Sequence, residues 1–142
     1  MAAIAQGLVS NVLNATTPTG AAGVPGTWVA LGGGAMKVRL NSTLSTASAF
    51  GTEITGAGYT AGGTALANAV TASSAGSNVT LPATTALSWT NTSGGAWSVA
   101  SFDLTDSAAA RAWFGPFNGQ PVAVASGNTF QIAVAGITLS LT

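Results

Sequence analysis

The sequence has no cysteine and no histidine in its 142 residues. The first absence excludes disulfide staples and thiol chemistry. The second removes the commonest general base at neutral pH and the commonest metal-binding side chain. Charge is scarce as well. Lys37, Arg39, Arg111, Glu53, Asp103 and Asp106 are the only ionised side chains, 4% of the chain, against about 25% in an ordinary globular domain. They sum to zero, and a surface near zero net charge favours association over free dispersal. Nucleic-acid binding is disfavoured, because the two basic residues of "MKVRL" are no substitute for the clustered Lys and Arg that phosphates require. No stretch approaches the roughly 20 apolar residues that span a bilayer as a helix, so no membrane partner is expected. The N-terminus "MAAIAQGLVSNVLNA" has neither the basic start nor the sustained apolar run of a signal peptide.

Apolar residues make up 47% of the sequence, although much of that is alanine, which buries little area. The large anchors are Trp28, Trp89, Trp97, Trp113, Tyr59, five phenylalanines and scattered Leu, Ile and Val. Such a chain is long enough for one domain with a modest core, and contact with neighbouring copies would add burial.

Residues 4–13 place Ile4, Leu8 and Val12 four apart, a spacing that predicts a short N-terminal helix despite Gly7. The turn-rich "NATTPTGAAGVPG" follows. The chain therefore divides into a helix and linker arm over 1–26 and a β domain over 27–142. Ile4, Leu8, Val12, Trp28 and Trp113 are the interface candidates, since a small-residue arm has little to hold it on its own fold.

Beyond the arm the signals are extended. Val38 and Leu40 alternate with Lys37 and Arg39. Leu66, Val70, Val79 and Leu81 are inward candidates in the following segments. Trp97 and Val99 share one parity while Phe102 and Leu104 share the other, which places a bulge or strand end near Ser101. "PVAVA" and "TFQIAVA" flank "SGN", a connection that predicts a hairpin. A second parity switch, at Ala135–Gly136, predicts a bulge or tight bend. Many short turn-bounded strands without a βαβ rhythm predict a mainly β fold, an antiparallel sandwich or barrel-like domain.

The stretch "GTEITGAGYTAGG", residues 51–63, raises the question of a ligand loop. It lacks the G-x-G-x-x-G spacing between strand and helix that cradles a dinucleotide, and no Walker lysine follows it. Its glycines read instead as backbone bends, with Tyr59 packed beside them. Glu53 is expected to accept backbone N–H bonds or to pair with Arg39 or a neighbour. Asp103, Asp106 and Glu53 are the sole conceivable metal ligands, too few oxygens for a hard cation. The preferred reading has Asp106 cap a helical turn or hold Arg111 in a local ion pair. Serines and threonines are plentiful, but no base activates them, so the chain is read as non-enzymatic and without cofactor. The four tryptophans suit core or interface positions, with a sugar platform as the other reading. Four N-x-Ser/Thr sequons, at Asn14, Asn41, Asn78 and Asn91, are expected by chance in so Ser/Thr-rich a chain.

The run "MKVRLNSTLSTASAFGTEITGAGYTAGG" resembles a family of small virion proteins of tailed bacteriophages. These share a strand ending in Leu, a variable loop and a GTE-(I/V)-(T/S)-G-(G/A)-G-Y segment. "VTLPATTALSWTNTSGGAWSVASFDLTDS" is similar to their aromatic–Asp block, and "GNTFQIAVAGITLSLT" to their terminal strand pair. The positions carrying the resemblance are Leu40, Gly51, Thr52, Glu53, Gly56, Gly58, Tyr59, Phe102, Asp103, Gly127, Thr129, Phe130, Gly136, Leu139 and Leu141. It implies a structural protein of the virion, assembled in the bacterial host cytoplasm. Decoration of the capsid exterior is the favoured role, as a homo-oligomer, with a trimer preferred, that contacts the major capsid protein. A minor tail, baseplate or fibre-like component is the alternative, with host-surface glycan as its possible ligand. A carbohydrate-binding module is the outsider.

Overall fold

The computed structural model describes residues 3–4, 36–66, 78–81, 85–105 and 109–140. Within them the protein is mainly β, in several small antiparallel sheets. The largest has five strands: β1 (Ala3–Ile4), β2 (Lys37–Asn41), β3 (Thr64–Ala65), β7 (Ser101–Thr105) and β8 (Arg111–Pro116). Their order across the sheet is β1-β8-β7-β2-β3. Three strand pairs complete the fold. β4 (Asn78–Leu81) pairs with β11 (Ile137–Ser140), β5 (Leu87–Thr90) with β10 (Thr129–Ile132), and β6 (Trp97–Val99) with β9 (Val122–Val124).

Alternation decides which faces are buried. On β2, Val38 and Leu40 are fully buried, and Phe102 and Leu104 of β7 lie opposite them. On β5, Leu87 and Trp89 point inward while Ser88 and Thr90 are exposed. These residues join Ile54, Leu66, Trp97, Val99, Val124, Ile132 and Ile137 in one apolar cluster. A row of rings, Phe102–Phe117–Phe130–Trp89, runs along it with centroid separations of 5.3, 5.1 and 6.2 Å. Few side chains here are large, so aromatic rings supply most of the area that alanine cannot.

The expected break near Ser101 is present. β6 ends at Val99 and β7 starts at Ser101, with Ala100 making the crossing. The N–H of Ala100 donates to the Asn41 carbonyl, and its own carbonyl accepts from the N–H of Phe117. The expected bend at Ala135–Gly136 is a tight turn closed by a Gly136 N–H bond to the Ala133 carbonyl, 2.9 Å. Leu66 is buried as expected, and Leu139 lies in β11.

Two expectations need correction or restriction. "SGN" does not close a hairpin between β9 and β10, because β9 pairs with β6 and β10 with β5. Residues 125–128 do form a turn, with Asn128 N–H donating to the Ala125 carbonyl. It bends the chain between β9 and β10, opposite the bend at residues 91–95 between β5 and β6. Gly/Asn turn chemistry serves a kink as well as a hairpin, so the sequence does not separate them. At the N-terminus, Ile4 lies in a strand beside Trp113, not in a helix. The rest of the expected helix and arm, with Leu8, Val12 and Trp28, lies outside the described residues, as do Asp106 and Leu141.

Asn91 ties the two kinks together. It is fully buried, its Nδ2 donates to the carbonyls of Gly95 and Val124 (both 2.7 Å), and its Oδ1 accepts from the N–H and Oγ of Ser93. Its backbone also exchanges bonds with Gly127 and Asn128 across the gap. Burial of both Asn41 and Asn91 closes those two sequons to glycan attachment in the folded protein. Replacing Asn91 by Ala strands buried carbonyls, at a cost of roughly 1–3 kcal/mol. Chemical unfolding of the variant is expected to show that loss in the midpoint without a change of slope.

Candidate functional site

The face of β2 and β7 turned away from the apolar cluster is polar. Arg39 and Asn41 alternate with Val38 and Leu40, and Ser101 and Asp103 lie next to them in register, so four polar side chains share one surface. Asn41, Ser101 and Asp103 have no exposed area. What covers them is the segment 42–52, which leaves β2 and returns at Glu53, bridged to Asn41.

The covering segment is held partly by bonds within itself. Ser42 N–H donates to the Thr52 carbonyl, Thr52 N–H to Thr43 Oγ1, and Gly51 N–H to Ser45 Oγ. Two arginines grip its carbonyls. Arg39 Nη2 donates to the Gly51 carbonyl at 3.1 Å, while Arg111 donates to the carbonyls of Ala47 (2.9 Å) and Ala49. Phe50 lies between the two guanidinium groups, its ring centroid 4.6 Å from one and 4.8 Å from the other. Phe114 of β8 takes the second guanidinium on its own ring, also at 4.8 Å. Planar, weakly hydrated guanidinium groups suit stacking and carbonyl contact together, which ammonium groups do not.

Each arginine is neutralised where it works. Arg39 Nε lies 3.2 Å from Glu53 Oε2, and Arg111 Nη1 lies 3.5 Å from Asp103 Oδ1. Asp103 Oδ2 also accepts from Asn41 Nδ2 at 2.6 Å and Ser45 Oγ at 3.1 Å. Its buried charge is therefore shared among three donors, the condition for tolerating such burial. The partner of Arg111 is thus Asp103 on the neighbouring strand; Asp106, the expected local partner, lies outside the described residues.

Glu53 does both things expected of it. Besides pairing with Arg39, its Oε1 accepts from the Gly62 N–H (2.6 Å) and the Tyr59 hydroxyl (3.0 Å). The Tyr59 oxygen in turn accepts from the Leu40 N–H at 3.0 Å, and its ring meets Trp97 edge-on at 6.2 Å. Residues 51–63 are thus a structural joint, pinned to β2 from both sides. Gly51 and Gly58 show why glycine is needed here. At Gly51 a Cβ would run into the Thr43 carbonyl; at Gly58, with φ +92°, it would run into the Thr90 carbonyl.

Of the positions carrying the resemblance, the structure gathers Leu40, Gly51, Thr52, Glu53, Gly58, Tyr59 and Asp103 around this joint and leaves Gly127, Thr129, Phe130 and Gly136 at the β9–β10–β11 turns and strands. Asn41, Ser45, Ser101 and Asn91 escaped the sequence reading as organising residues. A polar residue at a strand end carries no pattern that distinguishes burial from solvation. Among the described residues, no three acidic side chains converge to hold a metal ion. The arrangement offers an uncharged loop, its turn closed by the Thr46 N–H bond to the Ala49 carbonyl, with Leu44 (54% exposed) and Phe50 (43%) on either side of that turn.

Arg111→Ala removes one member of a buried pair and two loop contacts, and is expected to destabilise the fold by roughly 3–5 kcal/mol. Amide exchange in 43–51 should accelerate with it, and Lys at the position should not restore protection. Tyr59 is the sole tyrosine, so the tyrosinate difference band reports it alone even beside four tryptophans. Burial, reinforced by the adjacent Glu53 carboxylate, pushes its phenol far above the usual value, outweighing the Leu40 N–H bond. In the unfolded chain the phenol loses its proton near pH 10, as a rough reference. Above that pH the unfolded state binds fewer protons than the folded one, so stability falls as pH rises. No tyrosinate band should appear near pH 11 until the protein unfolds.

No protein-family model matches the chain, and no curated protein and no solved structure matches it.

Proposed function

We propose that this chain is a non-enzymatic structural protein of a tailed-phage virion, a decoration protein seated on the outer surface of the head. The observation that carries the reading is the disposition of charge. Four of the six charged side chains, Arg39, Glu53, Asp103 and Arg111, are tied up in holding one loop. The surface around them is left to Thr, Ser, Ala and Gly, chemistry better suited to repeated protein contacts than to free solution. The resemblance of the 36–63 and 127–142 segments to small virion proteins points the same way. Strands β2, β5, β6, β7, β9, β10 and β11 all contribute to one apolar cluster, which supports a sandwich-like arrangement of the sheets.

The mechanism is mass action. A protein that binds the assembled shell better than its free subunits stabilises the shell in proportion to occupancy. A tail or baseplate position remains the second reading, favoured by the projecting Leu44 and Phe50, which suit a specific joint. The carbohydrate-binding reading loses two of its platforms, because Trp89 and Trp97 are buried.

Stoichiometry in purified particles tests the proposal. Decoration predicts a band comparable in copy number to the major capsid protein, and shells stripped of it by mild heating should break more readily. A few copies per particle would favour the tail; absence from particles would sink both readings.

A further inference from the structure

One exposed turn carries a pair of groups that the hydrogen-bond network leaves free. Asn118–Gly119 is the sole Asn-Gly step in the sequence, and both residues are exposed in the connection from β8 to β9. The side-chain amide of Asn118 and the N–H of Gly119 have no hydrogen-bond partner among the described residues. Gly119 has φ +69°, and a Cβ built on it would meet nothing within 4 Å, so the turn is open on that side. Lacking a Cβ, Gly119 leaves its nitrogen unscreened toward the side chain that precedes it.

The other asparagines among the described residues are protected. Asn41 and Asn91 are fully buried with Nδ2 engaged. The N–H groups that follow them are bound as well, Ser42 to the Thr52 carbonyl and Thr92 to the Ala57 carbonyl. Asn78 precedes Val79 inside β4, and Asn128 precedes Thr129 at the start of β10. Branching at Cβ crowds both of those following nitrogens.

We propose that Asn118 is a site of spontaneous modification, converting in the folded protein to aspartate and isoaspartate. The Gly119 nitrogen gives its proton to a solvent base and bonds to Asn118 Cγ. The Cγ–Nδ2 bond then breaks, and Nδ2 leaves as ammonia with a proton from water. A five-membered imide remains. Water opens it at Cγ to give aspartate, or at the main-chain carbonyl to give isoaspartate. The sum is amide plus water to carboxylate plus ammonium. The formal net charge of zero falls by one, a large change for a chain with six charged side chains. The new carboxylate stands beside Phe102, Phe117 and Ile137 on an uncharged cleft of about 200 Å³, and it opposes burial of that rim against a neighbour. Isoaspartate also lengthens the main chain by one methylene between β8 and β9. Neither product depends on a partner, so the site stands apart from the virion reading.

Ageing the full chain in neutral buffer at physiological temperature tests this. No Lys or Arg lies beyond Arg111, so trypsin leaves Asn118 and Asn128 in one peptide, where each serves as the other's reference. Fragment masses should place the amide-to-acid gain at Asn118, with both acid isomers present and Asn128 converting at least about tenfold more slowly. The same chain aged in urea gives the rate without the fold, and the native rate should lie within about tenfold of it. Gly119→Ala screens the nitrogen and should slow conversion at Asn118 at least about tenfold, although its Cβ meets no neighbour. Should the positive φ keep that variant from folding, Asn118→Gln, at an exposed position without hydrogen bonds, should form no acid over the same period, because its ring would need six members. An intact Asn118 after ageing, conversion no faster than at Asn128, a native rate far below the rate in urea, or undiminished conversion in a folded variant would overturn the proposal.

Discussion

A carboxylate without solvent sits at the centre of this fold. Asp103 projects from the middle of β7 onto the face that the apolar cluster does not use, and water cannot reach it. Ionised carboxylates resist such burial unless several donors surround them. Asn41 approaches along the neighbouring strand, Ser45 from the covering segment, and Arg111 from the other neighbouring strand. The segment 42–52 is therefore a lid for Asp103 as much as Asp103 is an anchor for the segment. Each is the condition for the other.

From this mutual dependence the rest of the polar face follows. Arg111, drawn to Asp103, has two nitrogens positioned for the loop carbonyls, and its face meets Phe50 and Phe114. Arg39 repeats the pattern two strands away, across β7, with Glu53 as its acid and the Gly51 carbonyl as its loop contact. Glu53 then carries the constraint onward through Tyr59 to the backbone of β2. The apolar side of the sheet is ordinary by comparison, a cluster of small aliphatic residues widened by aromatic rings. The polar side makes the loop a fixed feature.

Parts of this were legible in the residues. The change of parity between Val99 and Phe102 placed a break near Ser101, one residue from the crossing at Ala100, because alternation cannot reverse without an interrupted strand. Ala135–Gly136 was legible for the same reason. The two roles of Glu53 could be named because so few cations were available to it. Other features had no local signature. Whether "SGN" turns a hairpin or kinks a strand is decided by which strands lie opposite, and β5 and β6 are more than twenty residues away in sequence from their partners. Choosing Asp103 as the partner of Arg111 depends on the β7–β8 register, which shifts between Leu104 and Thr105. The grip on the loop left no trace at all, since it is made to carbonyl oxygens, which every residue possesses.

That last property has an outcome for how the molecule can change over time. A clamp that holds peptide oxygens is indifferent to the side chains mounted on them. Ala47, Ser48 and Ala49 can be exchanged for other residues while the arginines keep their hold on the path of the chain. Shape and content are thereby uncoupled along this segment: the contour is inherited from the sheet, while the lettering along it is free to be rewritten. A protein facing a succession of different partners gains a site where new contacts can be tried without refolding the domain that carries them.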